Sequence, residues 1–450
     1  MKKRRIINGI LLLLVAILIG GILYLNSLMP IITGYAAKNL CSDVFVSDRK
    51  PADVEAIDLN FSFIRYTKNE VNYEDSSVVS KFLWSSSKAV NRKGFGSTLL
   101  RGLTEADLKK IKFPSGTAPA YSQDSLAWPL GNVLPDTSTG INMVKLGEIS
   151  KQLINENAYK GDAFAFIVLH KGIPVAEAYK PQFSNRTRFL SWSMAKSFTN
   201  AMVGILVKEG KMDVNDPAGI DEWKKDDRST ITINNLLQMQ SGLKWNEDYG
   251  ARSDVTVMLH EESSMAKYAY DKPLDHDPGT YWSYSSGTAN IVSYIIRKQF
   301  PDDSSYYSFS RTEFFNKIGI PDAVFEVDPS GTMVGSSYLY ATARDFARFG
   351  LLFLNDGVFN GQRILPEGWV KYTTTPASAS GNAYGAFFWL NRDKKFPSAP
   401  GNMYMCEGHD GQQIFILPDQ QLVVVVLGYS PQPVGMDCDR LLKDILSALD

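Results

Sequence analysis

Ser193-Met194-Ala195-Lys196 places a hydroxyl and an amine three residues apart. On a helix, residues at this spacing lie on the same face, so a neutral Lys196 amine could take the proton of the Ser193 hydroxyl. A serine hydroxyl is a weak nucleophile until a neighbouring base activates it. The pair therefore predicts nucleophilic catalysis, with Ser193 as nucleophile and Lys196 as base.

The sequence around each Ser-x-x-Lys copy distinguishes this pair from the others. After Ser193, apolar residues recur at three- and four-residue spacing over 194–206, and Gly210 then stops the helix. Two predicted strands, 164–169 and 174–179, precede it. Ser193 is thus predicted at a helix start, where free N–H groups and the helix dipole favour a developing negative charge. Polar or turn-like sequence surrounds the other copies, which begin at Ser47, Ser85, Ser241 and Ser264.

Tyr284 is the candidate for relaying the proton to a leaving group. It lies in a loop before an apolar helix predicted over 289–296. The phenol pKa is ordinarily near 10, and neighbouring cations could lower it. The alternative is that Tyr284, one of 21 tyrosines, only packs a loop.

His409-Asp410-Gly411 precedes a strand predicted over 413–417. Gly411 would let the strand backbone approach a ligand closely. The backbone N–H of Gln412 could then join that of Ser193 in holding an oxyanion. Taken alone, His409 is more typical of an ordinary loop histidine.

In this order and separation, these segments resemble the serine hydrolases related to class C β-lactamases and D-alanyl-D-alanine carboxypeptidases. That family shares Ser-x-x-Lys, then Tyr-x-Asn about a hundred residues on, then Lys/His-x-Gly on a strand at a sheet edge. The stretch 191–197 and the Ser-Gly after Tyr284 most resemble the 6-aminohexanoate-dimer hydrolase branch. The resemblance covers about 150–450.

The resemblance implies a role for each matching residue. Ser193 would form the acyl-enzyme, with Lys196 and Tyr284 as base and proton relay. The N–H groups of Ser193 and Gln412 would form the oxyanion hole. Tyr249 would correspond to a substrate-contacting loop tyrosine. We predict no cofactor and, because the chain lacks a zinc-protease helix, no metal.

Two of the implied substrate-binding positions depart from the family pattern. Ser286 stands where the peptidases and β-lactamases keep an asparagine, and His409 stands where they mostly keep lysine. The third position, Gly411, matches. Losing the amide and the permanent charge weakens the case for β-lactam or peptidoglycan substrates and favours esters or small linear amides.

The order of the predicted elements indicates an α+β fold. Strands predicted over 163–180, 384–390, 413–417 and 422–427 enclose a helix-rich middle, with helices over 233–240 and 342–357 and a closing helix over 439–449. Both ends of this region would complete one antiparallel sheet, with a mostly helical subdomain inserted between them. The resemblance implies a β-lactamase/transpeptidase-like domain over 151–450. Residues 27–150 are predicted to be an extension of unknown role.

The N-terminal segment has the pattern of a membrane anchor. A basic segment, 1–5, precedes a nearly uninterrupted apolar run that predicts a transmembrane helix over 6–26. Twenty helical residues rise about 30 Å, the thickness of a hydrocarbon core. The basic end would stay in the cytoplasm, with the rest of this single-pass protein outside the cytoplasmic membrane. The alternative is a signal peptide, cleaved to release a secreted enzyme.

Composition and remaining motifs restrict the other function classes. A net charge of −1 over 450 residues gives no sign of a nucleic-acid surface. Residues 260–262 lack the second histidine of a zinc-protease helix, and the chain has no Gly-x-Ser-x-Gly elbow. Cys406 and Cys438 could form a disulfide, leaving Cys41 over; free buried thiols are the alternative.

The predicted partners are a small ester or amide substrate and the membrane. Two other functions remain as alternatives. One is a non-catalytic ligand-binding or scaffold protein on the same fold, and the other is a peptidoglycan carboxypeptidase or β-lactamase.

Overall fold

The computed structural model of the chain describes residues 2–119, 121–136 and 140–449. Its helices are α1 Lys2–Phe45, α2 Pro51–Ile57, α3 Glu105–Leu108, α4 Met143–Ile154, α5 Ala195–Lys208, α6 Ile233–Leu237, α7 Asp254–Glu261, α8 Met265–Tyr270, α9 Ser286–Lys298, α10 Asp303–Phe309, α11 Ala343–Leu354, α12 Trp369–Thr373 and α13 Cys438–Leu446. Its strands are β1 Lys68–Asn72, β2 Ser77–Phe82, β3 Ser85–Arg92, β4 Gly96–Leu99, β5 Ala163–His170, β6 Ile173–Tyr179, β7 Arg188–Leu190, β8 Val324–Phe325, β9 Leu339–Thr342, β10 Val358–Phe359, β11 Gln362–Arg363, β12 Trp389–Leu390, β13 Tyr404–Gly408, β14 Gln412–Leu417 and β15 Leu422–Gly428.

A six-stranded antiparallel sheet in the order β12-β13-β14-β15-β5-β6 forms the centre of the domain. β15 pairs with β5, so that Val425 lies opposite Ile167. Every residue of these two strands is buried, which explains their continuous apolar sequence. The pairing confirms the predicted α+β fold, with one antiparallel sheet completed by both ends of the domain.

Helices cover both faces of this sheet. On one face, Phe198 of α5 stacks on Phe349 of α11 at 3.7 Å. On the other face, α4 and α13 pack against a separate apolar cluster. Cys406 belongs to the first layer and Cys438 to the second, so the sheet separates them. The predicted disulfide is therefore wrong: all three cysteines are free and buried.

Helix α1 does not end near residue 26 but continues to Phe45. Its apolar first part is exposed, and it is long and apolar enough to cross a membrane, a test that a signal sequence also passes. From Met29 onward it is largely buried against the sheet β1–β4. The buried Lys38 ammonium pairs with the buried Glu326 carboxylate, which joins α1 to the segment after β8.

Two predicted elements are shorter in the structure. Helix α6 ends at Leu237 instead of 240, and the strand predicted over 384–390 is reduced to β12. Phe387 adopts a left-handed backbone with φ +57°. Gly385 N donates to Phe388 O at 2.9 Å, which makes this segment a turn. Its apolar side chains are buried, but its backbone does not join the sheet.

Candidate active site

Ser193 lies in a 3-10 turn, Trp192–Met194, that leads into α5. Trp192 has φ +45°, a strained left-handed conformation for a residue with a side chain. Its buried indole packs against the rings of Tyr35 and Tyr338, each at 6.3 Å. These contacts hold the turn, and the Ser193 side chain remains partly accessible.

Lys196 is almost fully buried, one helical turn after Ser193. Its Nζ lies 3.0 Å from Ser193 Oγ, 3.0 Å from Ser286 Oγ and 3.2 Å from the Ser336 carbonyl oxygen. Burial lowers its pKa to about 8, and the negative charge of Glu247 opposes that shift. At pH 7, about one lysine in ten is therefore neutral and able to accept a proton.

The second Ser-Met-Ala-Lys copy has the opposite environment. Ser264 caps the short helix α8, and Lys267 Nζ lies 2.6 Å from the Asp271 carboxylate at the surface. The hydrogen bond to Asp271 raises the Lys267 pKa. Lys267 therefore stays protonated and cannot serve as a base near neutral pH.

Tyr284 completes a cluster with Ser193 and Lys196. Lys196 Nζ lies 4.6 Å from the centre of the Tyr284 ring, and the ring stacks on Trp389 at 5.3 Å. A hydrogen bond with Ser193 lowers the Tyr284 pKa, but burial raises that pKa well above 10. The expectation that neighbouring cations lower it is wrong. Tyr284 is a protonated phenol here, suited to passing a proton on and not to acting as a phenolate.

A model of the beta-lactamase family matches residues 152–447. The chain belongs to the beta-lactamase family. It is therefore a member of a family of serine hydrolases, as its resemblance implied.

Two curated relatives are similar to this member of the beta-lactamase family. The 6-aminohexanoate-dimer hydrolase of Paenarthrobacter ureafaciens is 26% identical over 321 residues, which cover 64% of this chain and 78% of the hydrolase. Protein flp of Staphylococcus aureus (strain COL) is 22% identical over 294 residues, which cover 58% of this chain and 57% of flp. The chain thus matches little more than half of flp.

Solved structures share the fold. A Bacillus anthracis protein assigned as a 6-aminohexanoate-dimer hydrolase superposes with a TM-score of 0.53 at 22% identity, covering 75% of this chain and 86% of that one. EstCE1, a hydrolase with promiscuous acyltransferase activity, gives a TM-score of 0.53 at 13% identity, covering 68% and 99%.

Ser286 occupies the position of the family's asparagine, at the first turn of α9. It is fully buried, and its Oγ lies between Lys196 and the Glu247 carboxylate, to which it donates. Ser286 N also donates to Glu247 Oε2 at 2.9 Å. Ser286 therefore belongs to an internal hydrogen-bond network, and its contact with substrate stays a prediction.

Glu247 was not predicted from the sequence. Besides Ser286, its carboxylate accepts a hydrogen bond from Trp245 Nε1 at 2.5 Å. Glu247 lies two residues before Tyr249, in a loop already marked as substrate-contacting. The only sequence signal was that this loop carries two neighbouring acidic residues, Glu247 and Asp248. Nothing in the loop sequence indicates which of them points inward.

Tyr249 and His409 lie beside the turn that carries Ser193. Their rings stack at 4.8 Å with an interplanar angle of 21°, and His409 also meets the edge of Trp192 at 5.4 Å. The Tyr249 hydroxyl is buried without a hydrogen-bond partner among the described residues. His409 Nε2 lies 3.4 Å from the Asp410 carboxylate. Both predicted substrate-contacting side chains therefore lie beside the turn that carries Ser193.

Gly411 and Gln412 contribute to backbone geometry. Gly411 has φ +93°, and a Cβ there would lie 3.0 Å from Ser430 Cβ, so its close approach is to Ser430. Gln412 opens β14 opposite Gly408, and its side-chain amide bonds both backbone groups of Gly428. A Cβ on Gly408 would lie only 2.3 Å from the Ser191 carbonyl oxygen, so β13 lies directly against the nucleophile turn. The oxyanion role of the Ser193 and Gln412 N–H groups stays a prediction.

Proposed function

We propose that this chain is a membrane-anchored serine hydrolase that cleaves a carboxylic ester or a small linear amide through an acyl-enzyme on Ser193. The observation that carries the proposal is the buried Lys196 amine, 3.0 Å from Ser193 Oγ and with a pKa lowered to about 8. A base with a pKa near the working pH combines a usable neutral fraction with a useful driving force for proton transfer.

In the acylation step, Ser193 Oγ attacks the substrate carbonyl carbon and its proton passes to Lys196 Nζ. The tetrahedral oxyanion is held by the backbone N–H groups of Ser193 and Gln412. The C–O or C–N bond then breaks. Lys196, through the phenol of Tyr284, returns the proton to the departing alcohol or amine.

Deacylation reverses these roles. A water molecule gives its proton to the neutral Lys196–Tyr284 pair as its oxygen attacks the acyl carbon. The bond to Ser193 Oγ breaks, the proton returns to that oxygen, and the carboxylic acid leaves. The high pKa of Tyr284 supports a relay role for this neutral phenol throughout.

The site favours ester or linear amide substrates over β-lactams. Ser286 is already bonded to Lys196 and Glu247, and His409 stacks on Tyr249, so neither offers the amide or permanent charge of the β-lactam-binding enzymes. The similarity to a 6-aminohexanoate-dimer hydrolase supports the linear-amide option. The exposed apolar part of α1 supports a membrane anchor.

Labelling with a fluorophosphonate tests the nucleophile. We expect the wild-type chain to be labelled and Ser193→Ala to lose labelling, while Ser264→Ala, which alters the second Ser-Met-Ala-Lys copy, is labelled normally. Undiminished labelling of folded Ser193→Ala would refute the proposal. Absence of labelling in the wild type would favour a non-catalytic role.

A substrate panel tests the reaction class. We expect short-chain p-nitrophenyl esters and linear amide oligomers to be hydrolysed faster than a chromogenic cephalosporin, with all turnover lost in Ser193→Ala. Preferential cephalosporin turnover would instead establish a β-lactamase.

A further inference from the structure

An exposed apolar patch lies at one end of the β1–β4 sheet. Leu83 and Trp84 form the tip of the hairpin between β2 and β3 and are 64% and 58% exposed. Phe63 is 48% exposed, and its ring lies 6.3 Å from that of Phe82, next to this tip. Tyr24 on α1 is 60% exposed. We call Tyr24, Phe63, Leu83 and Trp84 the aromatic patch.

The aromatic patch lies where the apolar run of α1 ends. Trp84 Nε1 donates to Asn26 Oδ1 at 2.9 Å, and Asn26 directly follows the last apolar residue of that run, Leu25. The apolar part of α1 that precedes Asn26 is not buried against the rest of the structure. The hairpin tip is therefore level with the end of the segment that a hydrocarbon core would cover.

The position and chemistry of these side chains fit the membrane–water interface. Tryptophan and tyrosine are enriched at this level because one part of each ring is apolar and another part is polar. The Trp84 indole N–H already donates to Asn26, so the part of the indole left exposed to solvent is apolar. A lipid surface continuous with α1 would provide that covering.

We propose that the aromatic patch rests in the interfacial layer of the bilayer spanned by α1, as a second membrane contact. This inference rests on the membrane anchor of the proposed function. It fixes the tilt of the catalytic domain relative to the bilayer, since a domain held by one helix alone could lean toward or away from the surface and a second contact prevents this.

The second contact also sets the height of the candidate active site above the bilayer. Arg252 Nε donates to the Ser27 carbonyl oxygen at 3.1 Å, so the loop that carries Glu247 and Tyr249 contacts α1 one residue after Asn26. The candidate site is therefore held close to the bilayer surface. Amphiphilic esters or amides residing in the headgroup layer are the substrate class that this arrangement favours.

Depth-dependent quenching tests this proposal in the full chain, with one copy in each lipid nanodisc. Three variants each carry one new cysteine for an environment-sensitive fluorophore. They are Leu83→Cys in the patch, Val15→Cys within the apolar run, and Val144→Cys. Val144 is exposed at the start of α4, in the layer on the other side of the central sheet. The native cysteines are buried, and unmodified protein measures any labelling of them.

With lipids brominated near the glycerol end of the acyl chains, we expect strong quenching of the probe at residue 83. With lipids brominated near the methyl end, we expect strong quenching of the probe at residue 15, which lies in the middle of the apolar run. The probe at 144 should be unaffected by either lipid. Quenching at 15 without quenching at 83 would overturn the patch assignment while leaving the anchor intact. A blue-shifted but unquenched probe at 83 would identify a protein partner and would also overturn it. Absence of quenching at 15 would refute the anchor itself.

Discussion

In the proposed mechanism, the environment of the Lys196 amine sets the pH at which Ser193 can react. Its pKa is lowered to about 8 because burial disfavours the charged form. Below that pH the amine is mostly protonated and cannot accept the Ser193 proton. We expect the rate constant of fluorophosphonate labelling to rise about tenfold per unit below pH 8 and to level off above it. Gel-based labelling across pH 5–10 measures this profile, and a flat profile would exclude Lys196 as the base.

Glu247 affects the protonation of Lys196, although it lies outside the Ser193–Lys196 pair. Its charge raises the Lys196 pKa, so Glu247→Gln removes a stabilisation of the ammonium form. We expect the midpoint of the labelling profile to move to lower pH. Asp248→Asn is the matched control because its amide oxygen can still accept from Gly250 N, and its midpoint should not move. An upward shift in Glu247→Gln would contradict the inferred role.

Strand β13 packs closely against the turn that carries Ser193. No side chain fits between these two elements. A Cβ on Gly408 would lie 2.3 Å from the Ser191 carbonyl oxygen, so Gly408→Ala must move one backbone away from the other. We expect labelling of Ser193 to slow by about 10²-fold, the cost of a misplacement of about 1 Å. Kinetic labelling together with circular dichroism separates this effect from unfolding.

The control for that substitution is Gly147→Ala on α4, where a Cβ would meet nothing within 4 Å. We expect it to stabilise the chain by about 0.5–1 kcal/mol because alanine loses less conformational freedom in a helix. Equal slowing of labelling in both variants would contradict the proposed contact.

Elements with a clear apolar pattern were predictable from the sequence. Examples are the strands β5, β14 and β15 and the start of α5, together with the serine–lysine pair located there. Segment 384–388 was predicted incorrectly because buried apolar residues do not reveal whether the backbone pairs with a sheet or folds into a turn. Glu247 could not be predicted because its role depends on Ser286, which lies 39 residues away and comes close only in the folded chain.

At the scale of the whole molecule, α1 is joined to the catalytic body by a buried ion pair. Lys38→Met would leave the Glu326 carboxylate buried without its cation, although Ser42 and the Ser97 N–H still donate to it. We expect a loss of about 3–5 kcal/mol in the free energy of unfolding, measured in urea. Lys38→Met combined with Glu326→Met should recover much of this loss, because no unpaired charge remains. A loss below about 1 kcal/mol in the single variant would show that the pair does not hold α1 in place.

The course of α1, which stays helical through Pro30, has a consequence for the reach of the enzyme. The same helix that leaves the apolar run enters the core of the catalytic body, with no flexible linker between them. If α1 anchors the chain as proposed, the enzyme cannot swing outward on a tether, and the candidate site stays at a constant height above the lipid. Encounters would then become a two-dimensional search, so compounds concentrated at the membrane would be met far more often than the same compounds dissolved in the surrounding medium.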